Sequence, residues 1–173
     1  GFYMEDQSII DSSGQPVTLM SAEDIIDNTG GENAIVTLFF ADKKGDNLLQ
    51  KRVRVNYDGT IPLEQVIIEQ LIRGPSSIEG INETKVFATL PEDTALEKTT
   101  TKGGICSVYF NKKFLNKFEN ITEEVQIYSV VNSLIELSSI NKVQFYIDGK
   151  LVETFKEYKD FDALFERNLD IIE

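Results

Sequence analysis

The apolar residues between Ala34 and Gly149 switch repeatedly between strand and helix periodicity, in the order hairpin, helix, hairpin, helix, strand. Elements this short can bury their apolar faces only against one another. The order therefore predicts an α+β fold, a single small domain with one mixed sheet and the helices packed on one face. Ile35, Val36, Leu38, Phe39 and Phe40 make the first strand too apolar to leave a face in water. A polar tip from Asp42 to Asn47 turns the chain. Leu49, Val53 and Val55 then alternate with Gln50, Arg52 and Arg54, which predicts a second strand with one wet face.

Pro62 suits the first turn of a helix, having its φ preset and no amide to leave unbonded. Leu63, Val66, Ile67, Leu71 and Ile72 fall on one stripe, opposite Glu64, Gln65, Glu69, Gln70 and Arg73. Gly74-Pro75 stops this helix. Leu96 to Thr101 and Ile105 to Asn111 flank a double glycine, Gly103-Gly104, a hairpin signal that places Cys106, Val108 and Phe110 on one face. Asn120 and Glu123 have capping-box spacing before a helix with Ile127, Tyr128, Val131, Leu134 and Ile135 on its apolar side. Val143, Phe145 and Ile147 mark the last core strand, closed by Asp148-Gly149.

Outside this unit, residues 1–33 read as a leader or tether, with Ser21 and Asp24 suggesting a short helix from Ser21 to Asn28. Residues 153–173 read as a C-terminal helical extension, capped by Asp160 and carrying Phe161, Leu164, Phe165 and Leu169 on one face. That stripe is expected to dock on the domain's own sheet or on the leader, the alternative being a helix that binds a partner.

Seventeen basic against 29 acidic residues give a net charge of −12, a field that repels nucleic acid. With no histidine there is no imidazole base or nucleophile partner and no histidine-ligated zinc. The expectation is no enzyme, no cofactor and no metal. No run of about 18 apolar residues is present to span a membrane. A chain that opens on Gly1 in place of methionine is expected to have lost an upstream signal peptide or lipid-attachment segment.

The individual candidates for chemistry are few. Cys106, in an alternating strand, reads as a small core side chain. Glu92 and Asp93 have the residue types of a glycan hydrolase, which needs two carboxylates facing each other across a bond, but neighbours on a loop point to water. Asp42, Asp46 and Asn47 offer oxygens to calcium without the spacing of a calcium loop, and Gly103-Gly104 has no helix start after it to cradle phosphate. Arg52 and Arg54 share a face and bring positive charge to an acidic chain. They either solubilise a sheet edge or contact an acidic partner or anionic wall polymer. Tyr109, Tyr128 and Tyr146 are the rings available to stack on sugars if exposed.

Several of these pieces, in this order, resemble the GerM domain, the module named from bacterial sporulation and germination proteins. The matching elements are Val36-Thr37-Leu38-Phe39-Phe40, the helix ending Leu71-Ile72-Arg73-Gly74-Pro75, Leu90-Pro91 with Thr94 before a hairpin, Val108-Tyr109-Phe110-Asn111, and Val143-Gln144-Phe145-Tyr146-Ile147-Asp148-Gly149. The resemblance covers residues 34–152. It implies an extracytoplasmic, lipid-anchored or membrane-tethered protein of the cell envelope, with a fold similar to ring-building modules of sporulation and secretion channels and no established catalytic residues. The expected function is a non-catalytic assembly or localisation module, with envelope proteins or other copies of itself as partners. The alternative is a module that binds peptidoglycan or another wall glycan.

Overall fold

The computed structural model describes residues 26–27, 32–78, 80–81, 85–116, 118 and 120–173. Its elements run β1 (Ile26–Asp27), β2 (Asn33–Ala41), β3 (Leu48–Asn56), α1 (Leu63–Arg73), β4 (Leu96–Lys102), β5 (Ile105–Phe110), α2 (Glu123–Ile135), β6 (Lys142–Ile147), β7 (Thr154–Phe155) and β8 (Tyr158–Lys159). The expected hairpin, helix, hairpin, helix, strand order holds, and the fold is α+β.

The strands divide into two mixed three-stranded sheets, ordered β1-β3-β2 and β4-β5-β6, with β7-β8 as a separate hairpin. β2 and β3 pair antiparallel from Asn33↔Asn56 to Ala41↔Leu48. β5 lies antiparallel to β4 and parallel to β6. The division has a local cause in α2. The outer edge of β2 meets the helix: Phe39 N–H donates to Ser133 Oγ at 3.0 Å, and Ser129 Oγ–H donates to the Phe39 carbonyl at 2.6 Å. Two serine hydroxyls thus take the hydrogen bonds that a neighbouring strand would have made. Two residues further, Ala41 and Phe87 exchange backbone bonds of 2.9 Å in each direction.

One core joins everything. The inner faces of the two sheets meet Ile67, Ile68 and Leu71 of α1, Ile127, Val130, Val131 and Leu134 of α2, and Phe155, Phe161 and Phe165 from the end of the chain. Stacked or tilted phenylalanines knit its centre, with Phe110 and Phe114 4.7 Å apart and Phe145 and Phe161 5.1 Å apart. A smaller cluster of Phe39, Ala41, Leu48, Val125 and Ile171 covers part of the opposite face of the first sheet.

The end of the chain corrects the helical extension expected for residues 153–173. After β8 there is no helix, and Asp160 takes a φ of +64°, a left-handed conformation that breaks the expected cap. The tail instead runs extended, bridging antiparallel to β6 at Val143↔Phe165 and parallel to β3 at Leu48↔Ile172. Phe161 and Phe165 are buried as the stripe foresaw, while Leu164 and Leu169 stand 43% and 65% exposed, which a continuous helical face would not allow. Within the short helix expected from Ser21 to Asn28, Ile26–Asp27 form β1, parallel to β3; the rest of that segment lies outside the described residues.

Two helix readings also change. Thr122, not Asn120, is the N-cap of α2, its hydroxyl accepting from Val125 N–H. Gln70, placed on the polar side of α1, is buried, and its Nε2 donates to Ser77 Oγ at 2.7 Å just beyond the Gly74-Pro75 stop.

Candidate interaction surface

The register of the second sheet sets its outer face row by row. Lys98, Tyr109 and Tyr146 stand side by side, then Thr100, Ser107 and Gln144, then Lys102, Ile105 and Lys142. Tyr109 and Tyr146 stack with centroids 4.4 Å apart and planes 12° from parallel, and Lys98 Nζ lies 4.6 Å from the centre of the Tyr109 ring. Both faces of Tyr109 are occupied. Tyr128 is on the other side of the molecule's core, its ring edge-on to Phe165 at 5.8 Å and its hydroxyl pushed well above its ordinary range by burial and by Tyr158. The three tyrosines expected as possible sugar platforms are therefore not brought together.

At the far end of these rows Lys142 pairs with Glu166, whose carboxyl is held below its usual range by that ammonium. Gln144 Nε2 donates to the Asp162 carbonyl at 3.0 Å, tying the tail to the same face. On the opposite side, β4 is the sheet's edge, and no strand lies beyond it among the described residues. Gly103 and Gly104 have φ of +60° and +83°, which makes a two-residue hairpin turn and no phosphate cradle. Such a turn closes on a hydrogen-bonded Lys102↔Ile105 pair, so by alternation the backbone groups of Thr99 and Thr101 point away from β5, along the open edge.

Arg52 and Arg54 do not solubilise an edge, because β3 is the central strand of the first sheet. Arg52 lies opposite Thr37, and Arg54 stands between Ile35 on β2 and Asp27 on β1. Both are half-buried on the outer face, and Arg54 Nε is buried with no hydrogen-bond partner among the described residues.

The remaining candidates take structural places. Cys106 is fully buried in the core, its thiol pushed up to about 11 chiefly by burial. Glu92 and Asp93 are both exposed on the loop before β4, and the Asp93 carbonyl accepts from Asn111 Nδ2. Asp42 turns inward, its Oδ1 accepting from Gly45 N–H at 2.9 Å and Asn47 N–H at 3.3 Å, so it holds the hairpin tip together. Among the described residues no cluster of acidic or thiol groups is arranged to hold a metal ion.

Sequence reasoning missed Asn111, which exchanges bonds with Ala95 through both its backbone and its side chain and so fixes the entry into β4. It also missed a polar cleft of about 370 Å³ between α1 and β3, lined by Asn56, Ile61, Glu69, Gln70, Arg73 and Ser77. Asn111 is legible in the sequence only as the end of a strand, and the cleft lies between a helix and a strand that meet only in the folded chain.

Two small mixed sheets sharing one core with two helices define a small α+β module. The family model Germane, described as sporulation and spore germination, matches residues 37–153, and the chain belongs to that family. Among solved structures, the tandem GerMN domains of the sporulation protein GerM from Bacillus subtilis align with a TM-score of 0.65 and 19% identity, over 85% of this chain and 52% of that one. The chain thus spans about half the length of that two-domain structure. The first GerMN domain alone gives a TM-score of 0.62 at 22% identity, over 79% of this chain and 98% of the domain. A candidate lipoprotein from Clostridium perfringens gives 0.54 at 23%, over 78% and 88% of the two chains. At these identities the likeness establishes the shared fold. No curated protein matches the sequence.

Proposed function

We propose that this chain is a non-catalytic module of the bacterial cell envelope, held at the membrane by a lipid and serving sporulation or germination by assembling or localising a protein complex. The observation that carries the reading is the open edge of β4, where Thr99 and Thr101 present backbone groups beside a rigid outer face of Lys98, Tyr109 and Tyr146. An edge of this kind pairs readily with a strand of another chain. Arg52 and Arg54 are the proposed cationic contacts on the other sheet, so that one copy's patch meets a different patch on the next. The family's description and the lipoprotein description of the Clostridium perfringens structure support the envelope location.

The absence of catalysis is supported by the dispersal of the acids and the burial of the single thiol. A wall-glycan module would need an open aromatic face, and Tyr109 has none. The test combines sedimentation equilibrium with incubation on isolated cell-wall sacculi. Concentration-dependent self-association that is weakened by Thr99→Pro, with the protein left in the supernatant of the sacculi, is the expected result. Saturable sedimentation with sacculi would replace assembly by glycan binding, and release of soluble muropeptides would overturn the non-catalytic reading.

A further inference from the structure

A second surface lies apart from the β4 edge and the Arg52/Arg54 face. Between the β2–β3 hairpin tip and the loop entering α2 is a groove of about 530 Å³, lined by Asp42, Lys43 and Lys44 on one wall, Phe87 and Ala88 at its floor, and Phe118, Asn120 and Ile121 on the other. Its interior is apolar, and Phe87 is a large side chain left 36% exposed there. Its rim is basic. Lys43 and Lys44 are both exposed, and neither has an ion-pair partner among the described residues. Asp42, the one acid in the lining, is only 6% exposed, with its carboxylate turned onto the amides of Gly45 and Asn47.

The groove is held open before anything enters it. The Gly45 carbonyl accepts from Thr122 N–H at 2.9 Å, which fastens the hairpin tip to the start of α2 and fixes the two walls relative to each other. Phe87 gives both backbone groups to Ala41, so those of Ala88, next along an extended segment, point away from β2. Ala88 makes no backbone hydrogen bond among the described residues.

We propose that this groove docks an extended acidic peptide segment of a partner protein. Carboxylates would meet Lys43 and Lys44 at the rim, one aliphatic or aromatic side chain would enter between Phe87, Phe118 and Ile121, and the Ala88 backbone groups would pair with the peptide. The concavity selects this occupant over a lipid surface, since membrane insertion uses apolar side chains that protrude.

The experiment is fluorescence anisotropy with a fluorescein-labelled decapeptide of alternating glutamate and leucine around a central phenylalanine, alongside a 15N chemical-shift map of the unmodified protein. Saturable binding is expected, with shifts at Lys43, Lys44, Phe87, Ala88, Phe118 and Ile121. The Lys43→Glu/Lys44→Glu variant should bind about tenfold more weakly. A peptide with lysine in place of glutamate, or with alanine in place of the apolar residues, should lose binding. Lack of saturable binding, equal binding by the variant, or shifts confined to other surfaces would each overturn the proposal. So would binding to phosphatidylglycerol vesicles, sensitive to the same double substitution, without binding to the peptide. Both lysines are exposed, so the variant should keep its unfolding midpoint, and the shift map stands without any variant.

Discussion

At the scale of single residues, Gly45 and Cys106 carry opposite lessons. A Cβ built on Gly45, at φ +79°, would lie 1.5 Å from the Asn120 carbonyl oxygen, whereas one on Gly103, at φ +60°, meets nothing within 4 Å. Gly45→Ala should therefore cost roughly 3 kcal/mol or more in urea unfolding, and Gly103→Ala about 1 kcal/mol from backbone strain alone. Equal costs would show that the hairpin tip yields freely. The first glycine reads in the sequence only as a turn residue, because its contact comes from a loop some seventy-five positions away. Cys106, by contrast, was legible as core from strand alternation alone. Its pKa is raised from an ordinary 9.0 to about 11, so the folded state keeps a proton that the unfolded chain gives up first. The resulting stability is complete below about pH 9 and is lost as the pH rises through 11, on the order of 2 kcal/mol. The difference in unfolding free energy between the protein and Cys106→Ala should shrink by that amount between pH 8 and pH 11. A constant difference would mean that the thiol ionises as freely in the fold as in the unfolded chain.

Among the elements, α2 departs furthest from an ordinary amphipathic reading. Its apolar stripe was visible, but Gln126, Ser129, Asn132 and Ser133 are also fully buried. Periodicity assigns such residues to water because it counts polarity, and it has no means of knowing that a strand edge or a tail will arrive to be bonded. Ser129 and Ser133 serve β2, while Asn132 pairs like a short piece of backbone with Asn168, through Nδ2 to the carbonyl and N–H to Oδ1, both at 3.0 Å. Asn132→Ala would strand both Asn168 groups and should destabilise by about 2 kcal/mol. Hydrogen exchange at Asn168 offers the more specific check: its protection should fall in the variant while that of β5 amides persists. The same blindness explains why the helices and core strands could be placed from sequence, whereas the division into two sheets could not. A hydroxyl in place of a neighbouring strand leaves the strand's own pattern unchanged.

On the scale of the whole molecule, residues 153–173 belong to the core they follow. Phe155, Phe161 and Phe165 pack among Phe114 and Phe145, and the tail touches both sheets. Removing residues 156–173 takes two buried phenylalanines and Ile171 out of the core, each worth a few kcal/mol, and should lower the thermal midpoint by well over 10 °C or abolish the cooperative transition. A midpoint unchanged by the deletion would refute the tail's part in the core. The apolar stripe announced this burial, but Phe161 and Phe165 fit a helix and an extended tail equally well by composition, and only the partner strands decide between them. The Leu48↔Ile172 bridge has a further consequence in time. It pairs residues 124 positions apart, so the first sheet is closed by a contact of very long sequence separation. The β2–β3 hairpin has its own strands close at hand and can form early, whereas this last pairing waits until Ile172 has been made and the core between them has assembled.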